Sequence, residues 1–178
     1  MTPQEIVDFW YQAGEERWFT KDPAFDGQLG VLFRSAHEQA RNGELDDWGT
    51  TPEGALGLVI LLDQVPRNIY RGSPLAFAAD SRALRLSREW IGKGFHQNLP
   101  PPKARWLLMP LEHAEDLDAQ RRCVALFQTM GFHEMAYWAQ VHLEIIARFG
   151  RFPHRNAVLG RTSTPAERAF LESGGFSG

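Results

Sequence analysis

Apolar side chains recur along most of the chain at intervals of three and four residues, which places them on one face of an α-helix. No segment shows the alternation of apolar and polar residues, bounded by hairpin turns, that is typical of β-strands. The pattern therefore predicts an all-α protein. Its clearest stripe lies in residues 23–42 and consists of Phe25, Leu29, Leu32, Phe33, Ala36 and Ala40.

The stretch that begins at Pro52 is apolar on every side. This pattern predicts a fully buried helix, with a buried strand as the alternative. The Thr51-Pro52 start and the lack of a partner strand favour the helix. We expect the helix to end near Val65, because Pro66 has no amide hydrogen with which to continue it. Its apolar residues are Leu56, Leu58, Val59, Ile60, Leu61 and Leu62.

Helix starts are marked repeatedly by a capping residue followed by proline. The capping side chain accepts a hydrogen bond from a free amide, and proline at the first helical position has none to lose. Glu5 and Glu167 stand three residues after their threonines and complete two capping boxes. The five starts are Thr2-Pro3, Asp22-Pro23, Thr51-Pro52, Ser73-Pro74 and Thr164-Pro165.

These signals predict seven or eight helices that pack in antiparallel pairs. Glycines and prolines mark most of the expected ends, and Gly150 suits the left-handed residue after a helix. The expected helices run from Pro3 to about Ala13, Pro23 to about Asn42, Pro52 to near Val65, Pro74 to Gly92 or Gly94, Pro100 to a kink or end at Pro110, about Asp118 to Met130, about His133 to Phe149, and Pro165 to about Glu172.

The chain has 178 residues, which is enough for a substantial core and suits one domain. No linker separates two parts of it, so we expect residues 1–178 to form a single all-helical domain. Residues 171–178 are predicted to form a mobile tail, on which Phe176 is a candidate for docking.

Composition excludes several classes of protein. The net charge of −3 provides no general attraction to nucleic acid. The longest apolar run, from Ala55 to Leu62, is too short to span a membrane, and the N-terminus does not resemble a signal peptide. A single cysteine, Cys123, cannot form an internal disulfide, which fits a reducing compartment. We therefore expect a cytoplasmic protein.

Three polar groups interrupt the apolar pattern, each after a mainly apolar helix. Because arginines in two groups could pair with carboxylates in the other, we expect Arg67, Glu112, His113, Arg151, His154 and Arg155 to converge in space. The groups are Asp63, Gln64, Arg67, Asn68 and Arg71; Glu112, His113, Glu115 and Asp116; and Arg148, Arg151, His154, Arg155 and Asn156.

Two interpretations of these groups stay open. One is a structural network of ion pairs that ties helix ends together. The other is a pocket for a small anionic ligand such as a carboxylate or phosphate, and it leaves open whether the protein is an enzyme. In the pocket interpretation His113, His154 and Glu112 are the candidates for moving a proton. The candidates for binding the ligand are Arg67, Asn68, Arg71, Asp116, Arg151, Arg155 and Asn156.

Metal and cofactor sites have less support. Glu112 with Glu115, and His113 with Asp116, have the i,i+3 spacing of two ligands on one helix face. The distant His142 and His154 would have to complete such a site, and otherwise His142 is a helix histidine with a satisfied hydrogen bond. The chain has no HExxH, paired CxxC, GxGxxG, GxxxxGK[ST] or GxSxG motif. We expect no metal and no cofactor.

Five stretches resemble a known family. They are VDFWY at 7–11, ERWFTKDPAFD at 16–26, LLDQVPRNIYRG at 61–72, MPLEHAED at 109–116, and RFGRFPHRNAVLGR at 148–161 with the TPAE that follows at 164–167. Together they resemble the bacterial family called domain of unknown function 924. The resemblance covers residues 7–176 and implies an all-helical fold related to tetratricopeptide-repeat superhelices. It implies no activity and no catalytic residues.

No clean 34-residue period is present, so the repeats that this resemblance implies would be degenerate. Tetratricopeptide-like folds often bind proteins or peptides, which makes a partner-binding scaffold the alternative to an anion pocket. An inward-facing pocket of arginines would favour the ligand, and an open apolar groove would favour the peptide. The sequence does not indicate the oligomeric state.

Overall fold

A computed structural model describes residues 1–176, and all the regular secondary structure within that range is helical. This confirms the predicted all-α class, whereas the tetratricopeptide-like superhelix stays a prediction. The α-helices are α1 (Pro3–Ala13), α2 (Glu15–Trp18), α3 (Pro23–Asn42), α4 (Pro52–Val59), α5 (Val65–Ile69), α6 (Asp80–Gly92), α7 (Phe95–Asn98), α8 (Pro101–Glu112), α9 (Leu117–Thr129), α10 (His133–Phe149) and α11 (Pro165–Glu172). Short 3₁₀ turns occupy Asp46–Thr50, Pro74–Phe77 and Pro153–Arg155, and one π turn occupies Ile60–Gln64.

Four of the five capping residues followed by proline start α-helices. α1 and α11 begin with complete capping boxes, while Asp22 and Thr51 cap α3 and α4. The prediction for Ser73-Pro74 was wrong, because Pro74–Phe77 forms only a 3₁₀ turn. The α-helix α6 begins later at Asp80, whose carboxylate is held by Arg67.

The helix that begins at Pro52 is fully buried, as its apolar pattern predicts, but it does not end near Val65. The π turn Ile60–Gln64 connects α4 directly to α5. The amide of Val65, the residue that follows this turn, donates to the carbonyl of Ile60, five residues back. This wider turn changes the register just before Pro66, so the proline enters at the start of a new helical segment, where its missing amide costs nothing.

The chain forms two compact units. Unit 1 comprises Met1–Arg71 and Leu75–Pro110, and unit 2 comprises Gly72–Pro74 and Leu111–Gly178. The boundary between Pro110 and Leu111 falls inside α8, because that helix continues past Pro110 to Glu112 instead of ending at the proline. The single cooperative domain expected from the sequence stays a prediction.

Unit 1 is built on aromatic packing around α1 and α4. The Trp10 indole stacks on Trp18 at 5.9 Å between centroids and meets Trp106 edge-on at 5.5 Å. Gly57 allows α1 to lie directly against α4, since a Cβ atom there would stand 2.9 Å from the Cα of Pro3. The buried apolar helix predicted from Pro52 therefore supplies much of this core.

Unit 2 contains α9 and α10, which pack together across a tight turn at Gly131 and so run antiparallel. Gly150 ends α10 in the predicted left-handed conformation. Of the predicted tail, residues 171 and 172 belong to α11, Phe176 packs into this core, and residues 177 and 178 lie outside the described range. One cluster of this core consists of Ile145, Ile146 and Phe152, with Leu117, Val141, Phe149, Phe170 and Phe176 against it.

Within residues 1–176, no helix combines the length and the apolar character needed to cross a membrane.

Candidate functional site

The three predicted polar groups are distributed over the two units. Arg67, Asn68 and Arg71 belong to unit 1. The convergence of Arg67 with the candidates of unit 2 stays a prediction. The candidates in unit 2 are Glu112, His113, Asp116, Arg151, His154, Arg155 and Asn156.

In unit 1 the Arg67 guanidinium is held by two carboxylates. One terminal nitrogen donates to Asp63 at 3.2 Å and to both oxygens of Asp80 at 3.1 Å. Burial alone would lower the pKa of Arg67, but the charges of Asp80 and Asp63 raise it overall. The guanidinium also lies 5.5 Å from the centroid of the Phe77 ring. Carboxylates of the chain itself therefore take the place that an anionic ligand would need.

Arg71 makes the same kind of contact one turn later. Its Nε and a terminal nitrogen donate to the two oxygens of Asp26 at 3.0 and 3.1 Å. The guanidinium also donates to Asn68 Oδ1 at 2.9 Å, and the Asn68 amide donates to the Gln64 carbonyl at 3.0 Å. These contacts tie α5 to α3, which agrees with the structural-network interpretation for this group.

In unit 2 Arg151 forms an ion pair with Glu167 in the first turn of α11. It donates to the two Glu167 oxygens at 2.6 and 2.9 Å and to the Thr162 carbonyl at 2.9 Å. Glu167 also accepts from the Thr164 amide at 2.7 Å as part of the capping box. The hydrogen bonds from Arg151 lower the pKa of Glu167 to about 2.

A second bidentate pair joins Arg161 to Glu115 at 2.6 and 2.8 Å. Glu115 also accepts from the Phe152 amide at 2.8 Å, while Arg161 donates to Asn156 Oδ1 at 2.9 Å. Burial alone would raise the pKa of Glu115, but the hydrogen bonds from Arg161 and Phe152 lower it overall. The side-chain amide of Asn156 donates to Ser163 at 3.1 Å. Asn156, a predicted ligand-binding residue, therefore stabilises the loop before α11.

At the centre of unit 2, Glu112 at the end of α8 faces His142 on α10. His142 Nδ1 lies 3.2 Å from Glu112 Oε1 and 2.8 Å from the Trp138 carbonyl oxygen. A carbonyl oxygen only accepts, so Nδ1 carries a hydrogen in this arrangement. Both side chains are buried. Burial and the nearby charge of Glu112 raise the pKa of the Cys123 thiol well above its ordinary value.

Two aromatic rings pack against His142 and connect it to the segments after α10 and α11. His142 meets Phe152 at 5.4 Å and Phe176 at 4.6 Å between ring centroids. His154 lies 5.5 Å from Phe152 and 5.4 Å from Phe176. The Arg155 guanidinium stands 4.3 Å from the centroid of Phe152. We name Glu112, His142, Phe152, His154 and Arg155 the histidine cluster.

Two of the remaining candidates have structural contacts in unit 2. The His113 carbonyl accepts from Arg155 at 3.0 Å. Asp116 caps α9, because its Oδ1 accepts from the Ala119 amide at 2.8 Å. Neither contact requires a ligand.

His142 is a helix histidine with a satisfied hydrogen bond, one of the two interpretations that the sequence offers, because its Nδ1 donates to the Trp138 carbonyl of the same helix. The sequence does not predict its buried contact with Glu112. A signal was present, because His142 shares the buried face of α10 with Ile145 and Ile146. A polar side chain on a buried face requires a partner, although the pattern does not indicate that the partner is Glu112.

Over residues 1–176, no three His, Cys, Asp or Glu side chains are placed to hold a metal ion together. Two open depressions of about 360 Å³ each lie on unit 1. Neither is lined by the histidine cluster. The first is lined by Thr2, Pro3, Gln4, Asp47, Trp48, Thr50, Thr51, Glu53 and Gly54. The second is lined by Asp26, Gly27, Gly30, Val31, Arg34 and Ile69.

Comparison with known proteins identifies relatives of this chain. A solved structure, described as a protein of unknown function, ATU0120, from Agrobacterium tumefaciens, is similar at 43% identity with a TM-score of 0.92. The similarity covers 96% of this chain and 97% of that one. A search of curated proteins found no match. The family model described as "Bacterial protein of unknown function (DUF924)" matches residues 6–175, so the chain belongs to that family.

Proposed function

We propose that the histidine cluster of unit 2 binds a small anionic ligand. The observation that carries this proposal is the buried contact between Glu112 and His142, which fixes the orientation of the imidazole and places a carboxylate beside it. His154 and the Arg155 guanidinium flank the same Phe152 ring. Two imidazoles and a guanidinium are suitable groups for binding a carboxylate or a phosphate.

Within this proposal most of the other candidates have structural roles. Arg67, Arg71 and Arg151 each have a carboxylate of the chain as partner. Asn68 accepts a hydrogen bond from Arg71, Asn156 accepts one from Arg161, and Asp116 caps a helix. The proposed anion site therefore contains fewer residues than the sequence predicts. We place its ligand in the cytoplasm, where the single buried thiol of Cys123 stays reduced.

The same geometry suggests a chemical role if the ligand is a substrate. Glu112 would stabilise a protonated His142, as a carboxylate does for an imidazolium, while Nε2 exchanges a proton with the ligand. His154 would be the second proton carrier, and Arg155 would balance the ligand's charge. Of the predicted catalytic candidates, Glu112 and His154 keep a place in this proposal, and His113 contributes its carbonyl to Arg155.

A panel of phosphate, sulfate and small di- and tricarboxylates, screened by thermal shift and then by calorimetry, tests the proposal. A binder raises the melting temperature by mass action, equivalent to about 2.7 kcal/mol at a hundredfold excess over Kd. We expect His142→Gln and His154→Gln to weaken the strongest binder at least about tenfold, or about 1.4 kcal/mol.

The matched control is His133→Gln, which removes an exposed histidine at the start of the same helix as His142. His133→Gln should bind the strongest binder of the panel with the same affinity as the native protein. Melting without ligand shows whether each variant is folded. The proposal is wrong if no anion of the panel stabilises the protein, or if the folded His154→Gln variant binds as well as the control.

A second candidate function is a tetratricopeptide-like scaffold that binds a protein or peptide. It is favoured by two adjacent aromatic residues on the surface of α10, Tyr137 and Trp138, which are 63% and 45% exposed. Exposed aromatic side chains commonly anchor protein partners. Trp138→Ala separates the two functions. It should abolish the binding of peptides that were selected from a library for affinity to the native protein, and it should leave the affinity for anions unchanged.

A further inference from the structure

One face of α3 has an unusual composition for the exposed surface of a helix. Gly27, Gly30, Val31 and Arg34 stand at positions i, i+3, i+4 and i+7, which lie on one side of a helix. Together with Asp26 and Ile69 they line an open depression of about 360 Å³. We name this surface the α3 face.

The packing of unit 1 does not explain the glycines of this face. A glycine inside a helix costs roughly 1 kcal/mol relative to alanine. A Cβ atom on Gly27 would have no atom within 4 Å, and one on Gly30 would make only ordinary contacts, 3.4 Å from Arg34 and 3.9 Å from Ile69. An alanine would therefore fit at both positions. Next to these glycines, Val31 extends into solvent with 87% of its surface exposed.

The charges of the α3 face are arranged symmetrically around Gly30. Asp26 lies four residues before it and Arg34 four residues after it. In an antiparallel pair of identical helices related by a twofold axis at Gly30, each Arg34 meets the Asp26 of the other copy. Asp26 already accepts two hydrogen bonds from Arg71, but a carboxylate has about four acceptor positions.

We propose that the α3 face pairs with the same face of a second copy of this chain. Two antiparallel α3 helices cross at Gly30, each Val31 fills the space above the glycines of the other helix, and Asp26 and Arg34 pair across the axis. A twofold interface requires a surface that is complementary to itself. The α3 face meets that requirement in shape, because a protruding valine lies beside two glycines. It also meets it in charge, because Asp26 of one copy faces Arg34 of the other.

The expected dimer is weak. The 20 residues of α3 span about 30 Å, so one helix pair buries less than the roughly 800 Å² per partner of a standard interface. We expect a dissociation constant in the range of about 1 to 100 µM at low salt. Added salt should weaken the dimer, because salt screens the attraction between Asp26 and Arg34 across the axis.

Sedimentation velocity across this concentration range tests the proposal. The native chain should shift from monomer to dimer. Gly27→Leu and Val31→Glu should each raise the dissociation constant at least about tenfold. Gly27→Leu is the more informative variant, because its side chain enters open space and leucine favours a helix over glycine, so its monomer should melt no lower than the native protein.

The matched control is Leu32→Glu. Leu32 is also apolar and is 48% exposed on the same helix, but it points about 100° away from Val31. This variant should dimerise like the native chain. The proposal is overturned if the native chain stays monomeric up to about 500 µM. It is also overturned if Gly27→Leu and Val31→Glu dimerise normally, or if Leu32→Glu disrupts the dimer as strongly as they do.

Discussion

Leu61 illustrates how burial at a single residue determines stability. It is 0% exposed and lies in the π turn of the central buried helix. We expect Leu61→Ala to reduce the free energy of unfolding by about 2–5 kcal/mol, because the substitution removes buried methyl groups and leaves a cavity. Urea denaturation measures the loss. Leu32→Ala, at a half-exposed position, should cost much less, and a loss below about 1 kcal/mol for Leu61→Ala would contradict its central position.

Also at the residue scale, the sequence indicated which side chains form the polar groups but not how they pair. The hypothesis that arginines and carboxylates pair rested on the cost of burying an isolated charge, which is general. One partner of Arg67 is local, because Asp63 lies four residues before it, but Asp80 lies 13 residues from Arg67 and Asp26 lies 45 residues from Arg71. The distant partners could not be identified from local patterns, because they meet the arginines only when helices pack.

At the scale of elements, the pair of Arg151 and Glu167 attaches α11 to the end of α10. The pKa of Glu167 is lowered from an ordinary 4.5 to about 2, so the folded state holds this carboxylate ionised more strongly than the unfolded chain does. Its contribution to stability is therefore complete above pH 4.5 and is lost as the pH falls from 4.5 towards 2.

We therefore expect Glu167→Gln to lower the melting temperature at pH 7 and to reduce the further drop between pH 5 and pH 3. Melting curves at several pH values measure both effects. Glu172→Gln, on the exposed side of the same helix, should change neither. An identical pH dependence for the native protein and Glu167→Gln would show that this contact does not stabilise α11.

The π turn shows why element boundaries are harder to predict than elements. Helix propensity and capping placed the start at Pro52 correctly, because those signals act within one turn. The predicted end near Val65 was wrong because the π turn moves Pro66 to the start of a new segment. A π turn has no simple sequence signature, and packing of the surrounding helices stabilises it.

For the whole molecule, we expect one cooperative unfolding transition despite the two compact units. The chain passes between them at Arg71–Gly72, Pro74–Leu75 and Pro110–Leu111, the last within α8. Unfolding either unit therefore disturbs the chain of the other. Far-UV circular dichroism, dominated by helix, should give the same midpoint as tryptophan fluorescence.

A substitution makes this test specific to each unit. Of the six tryptophans, five lie in unit 1, and Trp138 lies in unit 2. Trp138→Phe therefore restricts the fluorescence signal to unit 1, while circular dichroism still reports on both units. Coincident curves support a single domain. Two separated midpoints would show that the units unfold independently.

The sequence by itself determined the all-α class, most helix starts and several helix ends, because capping, glycine stops and apolar periodicity act over a few neighbouring residues. It also located the polar segments after the buried helices. Only the tertiary structure decided that Asp80, Asp26, Glu167 and Glu115 hold the arginines, and that His142 faces Glu112. These contacts join residues up to 46 positions apart, and their distances depend on how whole helices pack, which local chemistry does not specify.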